Sequence, residues 1–283
     1  MVVLLVAFLS SSIGVVLGML GGGGAILMLP MLVYVAHVEP KAAIAASLFV
    51  VGSTSATSMV AHARAGNVRW KVGGLFGSGA MAGAFAGGRA AHFFSGAALL
   101  VVFGVLMLAA GIAMMRRRGA SSSPGPIALG RAVVLGMVVG VLSGLVGAGG
   151  GFLIVPALAL LGGLAMREAV ATSLFVITLQ SFAGFAGHAT HVDVDWSLVL
   201  VTTAAAIVGS LVGVRLSRRV SPDGLRRAFA HLVIAMGLFV VAKQAVLPVT
   251  LVAAALTAIG VYLVTRNSSS KKGSCTSSPP SPR

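Results

Sequence analysis

Long runs of apolar residues separated by short polar loops make up most of this chain. The runs 2–20, 99–115, 198–214 and 246–264 contain no Asp, Glu, His, Lys or Arg. A helix needs about 20 apolar residues to cross the hydrocarbon core of a bilayer, and each of these runs has nearly that length. The pattern therefore predicts an all-α, multi-pass membrane protein.

Composition supports this fold class and limits the partners. Of the 283 residues, 58% are hydrophobic and only 9% are charged, which is too apolar a composition for a soluble domain. The net charge of +15 is carried by short basic blocks between the apolar runs. Cytoplasmic loops of membrane proteins are typically rich in Lys and Arg, so the charge indicates a lipid bilayer rather than nucleic acid as the partner.

One stretch of the sequence occurs twice, 126 residues apart. Residues 18–30 read GMLGGGGAILMLP, and residues 144–156 read GLVGAGGGFLIVP. The match continues without a gap from Gly14 to Gly111 of the first copy. Chance does not produce a match of this length, so the chain contains a duplicated unit.

Each unit is predicted to contain an apolar segment, the Gly-rich break, a short apolar segment ending near Tyr34 or Leu161, and three longer helices. The longer helices are expected over 41–61, 72–88 and 97–115 in the first unit, and over 167–187, 198–214 and 225–242 in the second. The predicted domain organisation is a first transmembrane repeat at 1–115, a cytoplasmic linker at 116–130, a second repeat at 131–243, an extra transmembrane helix at 244–266 and a disordered cytoplasmic tail at 267–283.

Loop charges predict that the two units have opposite orientations in the membrane. Loop 62–71 carries three basic residues and no acid, whereas its counterpart 188–195 carries two aspartates and neither Lys nor Arg. The positive-inside rule places these loops on opposite sides, so the repeats are inverted. The number of spans stays open: nine if each Gly-rich break is a re-entrant hairpin, eleven if the pieces on both sides of it cross.

The Gly-rich breaks are the candidate substrate site. Open backbone inside a membrane protein is tolerated only where it faces protein or a water-filled cavity, and matching breaks in two halves are typical of a transporter's binding site. Free N–H groups and the helix dipole at such a break favour an anion. The alternative is that the glycines only allow close helix packing, as is also predicted for the glycines spaced at four in 79–87 and 209–213.

Polar residues in the helix after each break are candidates to complete the coordination of an oxyanion, although ordinary hydrogen bonds between helices are the alternative. The candidate substrate-binding residues are Gly21, Gly22, Gly23, Gly24, Gly147, Gly149, Gly150, Gly151, Ser47, Thr54, Thr172, Ser173 and Gln180. His62 and His188, at equivalent helix ends, are either candidates for gating or a proton relay, or interfacial residues. No catalytic residue, cofactor or metal is expected, since the five acids all lie near segment ends.

These motifs resemble those of the sulfite exporter family, also called the TauE/SafE or TSUP family. GGGFLIVP at 149–156 with AVATSL at 169–174 is similar to the family pattern, and GGGGAILMLP at 21–30 with AAIAASL at 42–48 fits it too. The resemblance implies a bacterial inner-membrane protein that moves sulfite, organosulfonates or related sulfur-containing anions. The first copy has Ala25 at the position of Gly151, which makes the first break less flexible.

Together with the resemblance, these features predict an inner-membrane transporter of a small sulfur-containing anion, expected to act as an exporter. It works by alternating access of two inverted repeats, with its C-terminus in the cytoplasm. An anion channel and a transporter of another small anion stay open as alternatives. A membrane-embedded enzyme is rejected, because no nucleophile, acid pair or metal cluster is found at membrane depth. The exact substrate, the direction, the coupling ion and the oligomeric state are not determined by the sequence.

Overall fold

The computed structural model describes residues 2–21, 23–116, 129–147, 150–161, 164–189, 192–217 and 220–244. Within these ranges the chain is all-α, which confirms the predicted fold class. The helices are α1 (Val2–Leu20), α2 (Gly23–Tyr34), α3 (Pro40–Arg64), α4 (Trp70–Ala90), α5 (Gly96–Arg116), α6 (Leu129–Val146), α7 (Gly151–Pro156), α8 (Met166–His188), α9 (Trp196–Ser217) and α10 (Pro222–Lys243). Most of the predicted linker, the extra helix at 246–264 and the tail at 267–283 lie outside the described residues.

The helix bounds follow from local sequence. The helix predicted over 41–61 begins at Pro40, because the carboxylate of Glu39 accepts a hydrogen bond from the Ala42 N–H at 3.2 Å and Pro suits a first helical turn. After α7 the spacing widens to a π-helical stretch, Ala157–Leu161. Pro156 has no N–H to continue the α-helical bonding, and the wider spacing begins directly after it.

Helices of one unit pack mainly on helices of the other. α1 packs along α9, and its counterpart α6 packs along α4. α3 packs on its own counterpart α8, and α5 packs on its own counterpart α10. The most extensive helix contacts therefore join the two units, which interlock rather than stand side by side.

The predicted glycine stripes bring these helices into backbone contact. A methyl group added to Gly83 of α4 would meet the carbonyl oxygen of Met137 on α6. Gly209 of α9 faces the carbonyl oxygen of Ser11 on α1 in the same way. Gly209 is the repeat counterpart of Gly83, and Ser11 is the counterpart of Met137. The structure thus confirms the predicted close contacts, and it leaves no room there for a side chain.

Four described helices are long and apolar enough to cross a membrane by length and composition. They are Pro40–Arg64, Gly96–Met115, Arg167–His188 and Trp196–Ser217, with shorter apolar helices at Leu4–Leu20 and Ala132–Val146. On α9 the exposed residues Leu200, Val208 and Val212 are separated by multiples of four positions, so they form an apolar stripe on one helix face. Such a stripe suits contact with lipid.

Candidate functional site

The first Gly-rich break is a tight turn between α1 and α2. Gly21 has a φ of 75°, and its N–H donates to the Leu17 carbonyl at 2.9 Å, which completes the last turn of α1. A methyl group on Gly21 would lie 2.9 Å from Cγ1 of Val170 and 3.1 Å from Oγ of Ser173, both on α8. Glycine is therefore required here by the backbone conformation and also by the approach of the other unit.

The second break repeats this geometry with the roles of the units exchanged. Gly147 has a φ of 72°, and its N–H donates to the Ser143 carbonyl at 2.9 Å. A methyl group on Gly147 would meet the side chain of Ile44 on α3. The Ser47 hydroxyl, also on α3, donates to the Gly147 carbonyl at 2.6 Å. Ile44 and Ser47 are the repeat counterparts of Val170 and Ser173, which face Gly21, so each turn packs against the other unit.

Gly150 and Gln180 lie close together at the second break. Gly150 has a φ of 60° and precedes α7, and the space a methyl group would need is taken by Nε2 of Gln180. Oε1 of Gln180 lies 3.3 Å from Oγ of Ser143, which donates to it. Ser143 is not among the residues predicted from the sequence, although a serine in the apolar stretch directly before the second motif was a usable signal.

The hydroxyl groups among the candidates are bonded to protein in this conformation. The Ser173 hydroxyl donates to the Val170 carbonyl at 2.7 Å, and the Thr54 hydroxyl donates to the Val50 carbonyl at 2.6 Å. Thr172 accepts a hydrogen bond from the Arg69 N–H at 3.0 Å. Each Ser or Thr has one hydroxyl proton. In this structure the hydroxyl protons of Ser47, Ser173 and Thr54 are donated to backbone carbonyl oxygens.

The other predicted glycines lie at or beside the two turns. Gly23 and Gly24 begin α2, and Gly151 begins α7. The N–H groups of a first helical turn have no partner within their helix, so these positions carry the backbone donors that the anion hypothesis needs. Gly22 and Gly149 lie outside the described residues.

The two histidines line separate clefts and do not meet at one site. His188 is 4% exposed, and its Nε2 lies 2.8 Å from the carbonyl oxygen of Gly144 in the last turn of α6. Since a carbonyl only accepts, Nε2 carries the proton in this contact. His62 lines a cleft together with Asn67 and Arg167.

The described residues contain no cluster of three or more His, Cys, Asp or Glu side chains suited to hold a metal ion. In this part of the chain the one ion pair within 4 Å joins Arg69 to Glu168, at 2.6 Å between Nη2 and Oε1. It links the loop after α3 to the first turn of α8, and so joins the two units. The chemistry offered by the glycine turns is hydrogen bonding by backbone and amide groups.

Comparison with known proteins agrees with this architecture. A protein-family model described as Sulfite exporter TauE/SafE matches residues 3–240, which span both repeats. A probable membrane transporter protein of Xylella fastidiosa (strain 9a5c) is 34% identical over 241 residues, which cover 81% of this chain and 91% of the relative. The probable membrane transporter protein YdhB of Bacillus subtilis (strain 168) is 30% identical over 221 residues, covering 76% and 89%. No solved structure matches the chain significantly.

Proposed function

The chain belongs to the TauE/SafE sulfite exporter family, and we propose that it exports a small sulfur-containing anion, such as sulfite or an organosulfonate, across the bacterial inner membrane. Two inverted repeats work by alternating access around a site at the glycine turns. The reciprocal packing of these turns is the main support for the proposal. Gly21 lies against Ser173, and Gly147 lies against Ser47.

Reciprocal packing supports alternating access for a physical reason. Each turn packs against counterpart residues of the other unit, and the helices that follow the turns, α2 and α7, contact each other. A protein built from two such units has two related conformations. In the second conformation, the first unit has the structure that the second unit had before, and the second unit has the structure that the first unit had. A substrate bound between the units then reaches a different side of the membrane in each conformation.

The donors at the turns favour an anion. The N–H groups of Gly21 and Gly147 close their own helices, and those of Leu153 and Ile154 donate to the Gly150 carbonyl. The backbone donors proposed for a substrate are therefore the N–H groups at the start of α2 and those of Gly151 and Phe152. The side-chain amide nitrogen of Gln180 lies beside Gly150. An inside-negative potential favours the exit of an anion by about 2.3 kcal/mol per charge per 100 mV, which provides a driving force for export.

Flux measurements on purified protein in proteoliposomes test the function. The substrates to compare are sulfite, thiosulfate, an organosulfonate, sulfate and chloride. We expect saturable flux of at least one sulfur-containing anion, accelerated by the same anion on the opposite side. Absence of flux for every sulfur-containing anion, or transport of chloride alone, would overturn the substrate class. Unitary currents in planar bilayers would instead identify a channel.

A pair of amide variants tests the site. Gln180→Leu removes the amide beside Gly150, and we expect it to raise the half-saturating concentration of the transported anion about tenfold or more, as loss of a buried donor commonly costs over 1 kcal/mol. Gln244→Leu removes an amide that donates to the hydroxyl of Tyr34 at 3.3 Å, outside the turns, and serves as the matched control. Equal half-saturating concentrations in the two variants would show that the substrate does not bind at the Gln180 amide.

A further inference from the structure

A cleft with a cavity volume of about 50 Å³, open to solvent, lies at the end of the molecule that carries the loop after α3. Its polar lining consists of His62 of α3, Asn67 of that loop, Arg167 of α8 and Ser217 of α9. The first two residues belong to the first unit, and the other two belong to the second. The cleft is therefore a feature of the interface between units, where alternating access requires a passage.

A second, smaller cleft with a cavity volume of about 10 Å³ is lined by residues at counterpart positions. It is lined by His188, the counterpart of His62, and by Lys41, the counterpart of Arg167. Nζ of Lys41 lies 3.4 Å from the carbonyl oxygen of His92 and donates to it. Each cleft thus combines the helix-end histidine of one unit with the first-turn cation of the other, and the cleft at Arg167 is the wider of the two.

The charge around the wider cleft is positive. Glu168, the acid next to Arg167 in sequence, is paired with Arg69 at 2.6 Å. The hydrogen bond to Glu168 and the charge of that carboxylate raise the pKa of Arg69. Because the acid is balanced by Arg69, the positive charge of Arg167 is left to attract anions toward the cleft.

The starts of α3 and α8 differ in a way that points to an anion at α8. At α3 the carboxylate of Glu39 accepts a hydrogen bond from the Ala42 N–H. The counterpart of Glu39 is Ala165, which precedes α8 and has no side-chain acceptor. The first turn of α8 therefore has no carboxylate at the place where Glu39 caps α3.

The cleft also leads to the candidate substrate site. Val170, one turn along α8 from Arg167, belongs to the cleft lining. The same side chain lies 2.9 Å from the position of a methyl group on Gly21. The Val170 side chain therefore contacts both the cleft and the first glycine turn.

We propose that this cleft is an anion-binding site at which the substrate is taken up before it reaches the glycine turns, with Arg167 as its main contact. The planar guanidinium of Arg167 binds two oxygens of a sulfite or sulfonate group, and the side-chain amide of Asn67 adds a neutral donor. This inference rests on the proposed function, since it assigns a further site to the same substrate class.

The test compares charge changes inside and outside the cleft in the proteoliposome flux assay. Arg167→Gln is expected to raise the half-saturating concentration of sulfite at least tenfold, and Arg167→Lys to raise it less, since Lys keeps the charge but not the planar fork. Arg215→Gln removes an exposed arginine whose Nη1 lies 3.5 Å from the Leu211 carbonyl of its own helix, and is expected to stay within twofold of the wild type.

A second pair of variants keeps the test independent of any folding defect in the arginine variants. Ser217→Asp puts a negative charge into the cleft, and Ser197→Asp puts the same charge at the exposed opposite end of α9. Only Ser217→Asp is expected to weaken uptake and to reduce the sulfite-induced rise in melting temperature, measured against chloride at equal ionic strength. Wild-type sulfite flux with unchanged half-saturation in Arg167→Gln and Ser217→Asp would overturn this inference. Absence of wild-type flux of every sulfur-containing anion would instead overturn the proposed function.

Discussion

The hydroxyl group of Ser47 donates a hydrogen bond to the carbonyl oxygen of Gly147 at 2.6 Å, across 100 positions of sequence. Ser47 is fully buried on α3 of the first unit, and Gly147 forms the turn of the second. This bond fixes the glycine turn of one repeat to the helix body of the other. It makes the position of the second turn depend on how the two units are packed.

Replacing Ser47 by Ala is expected to lower the free energy of unfolding by about 1–3 kcal/mol, because the buried Gly147 carbonyl loses its donor. Denaturant unfolding of the purified protein in detergent measures this loss. Ser78→Ala is the matched control, since Ser78 is exposed and donates only to the Leu75 carbonyl of its own helix. Similar losses in the two variants would show that the Ser47 bond does not hold the turn.

Gly147→Ala is expected to destabilise the protein strongly. A φ of 72° costs a residue with a side chain roughly 1–2 kcal/mol, and the added methyl group also meets the Ile44 side chain. Gly74→Ala is the control, because a methyl group at Gly74 has nothing within 4 Å and Ala is the better helix former by about 1 kcal/mol. Measured in the same detergent, the melting temperature of Gly147→Ala is expected to be lower than that of Gly74→Ala. Equal melting temperatures would contradict the geometry of the turn at Gly147.

His188→Ala is expected to lower the free energy of unfolding by about 1–3 kcal/mol, since the Gly144 carbonyl at the end of α6 loses its buried donor. His231→Ala is expected to cost less, because His231 is exposed and contacts the Arg227 carbonyl of its own helix. Unfolding in detergent measures both. A proton-relay role for His188 predicts a different outcome: unchanged stability and an altered pH profile of transport.

Labelling of single cysteines tests the inverted orientation. Cys275 is the only cysteine, so Cys275→Ser provides a background into which Arg64→Cys and Asp193→Cys are introduced separately. Both positions are exposed, and they lie in counterpart loops of opposite charge. A membrane-impermeant maleimide should reach the two cysteines from opposite sides of the membrane. Labelling from one common side would mean that the repeats are parallel.

The sequence by itself determined the fold class, the helices and the repeat. Apolar runs of membrane-spanning length predict helices, and the structure has α3 and α8 where 41–61 and 167–187 were expected. The repeat identified both glycine turns, because Gly in the middle of an apolar run carries a cost that needs a structural reason. The side-chain cap of Glu39 also explains why α3 begins at Pro40.

Only the tertiary structure decided which groups meet. The spacing of Gly83 predicts a close contact and suggests that any small residue suffices, but the contact is with the carbonyl oxygen of Met137, so even a methyl group does not fit. The pattern around Ser47 places it on a buried face without naming its acceptor, and Ser143 gains its role from Gln180 on another helix. The physical reason is that periodicity reports the environment of a residue along its own helix. The choice of partner depends on how distant helices pack.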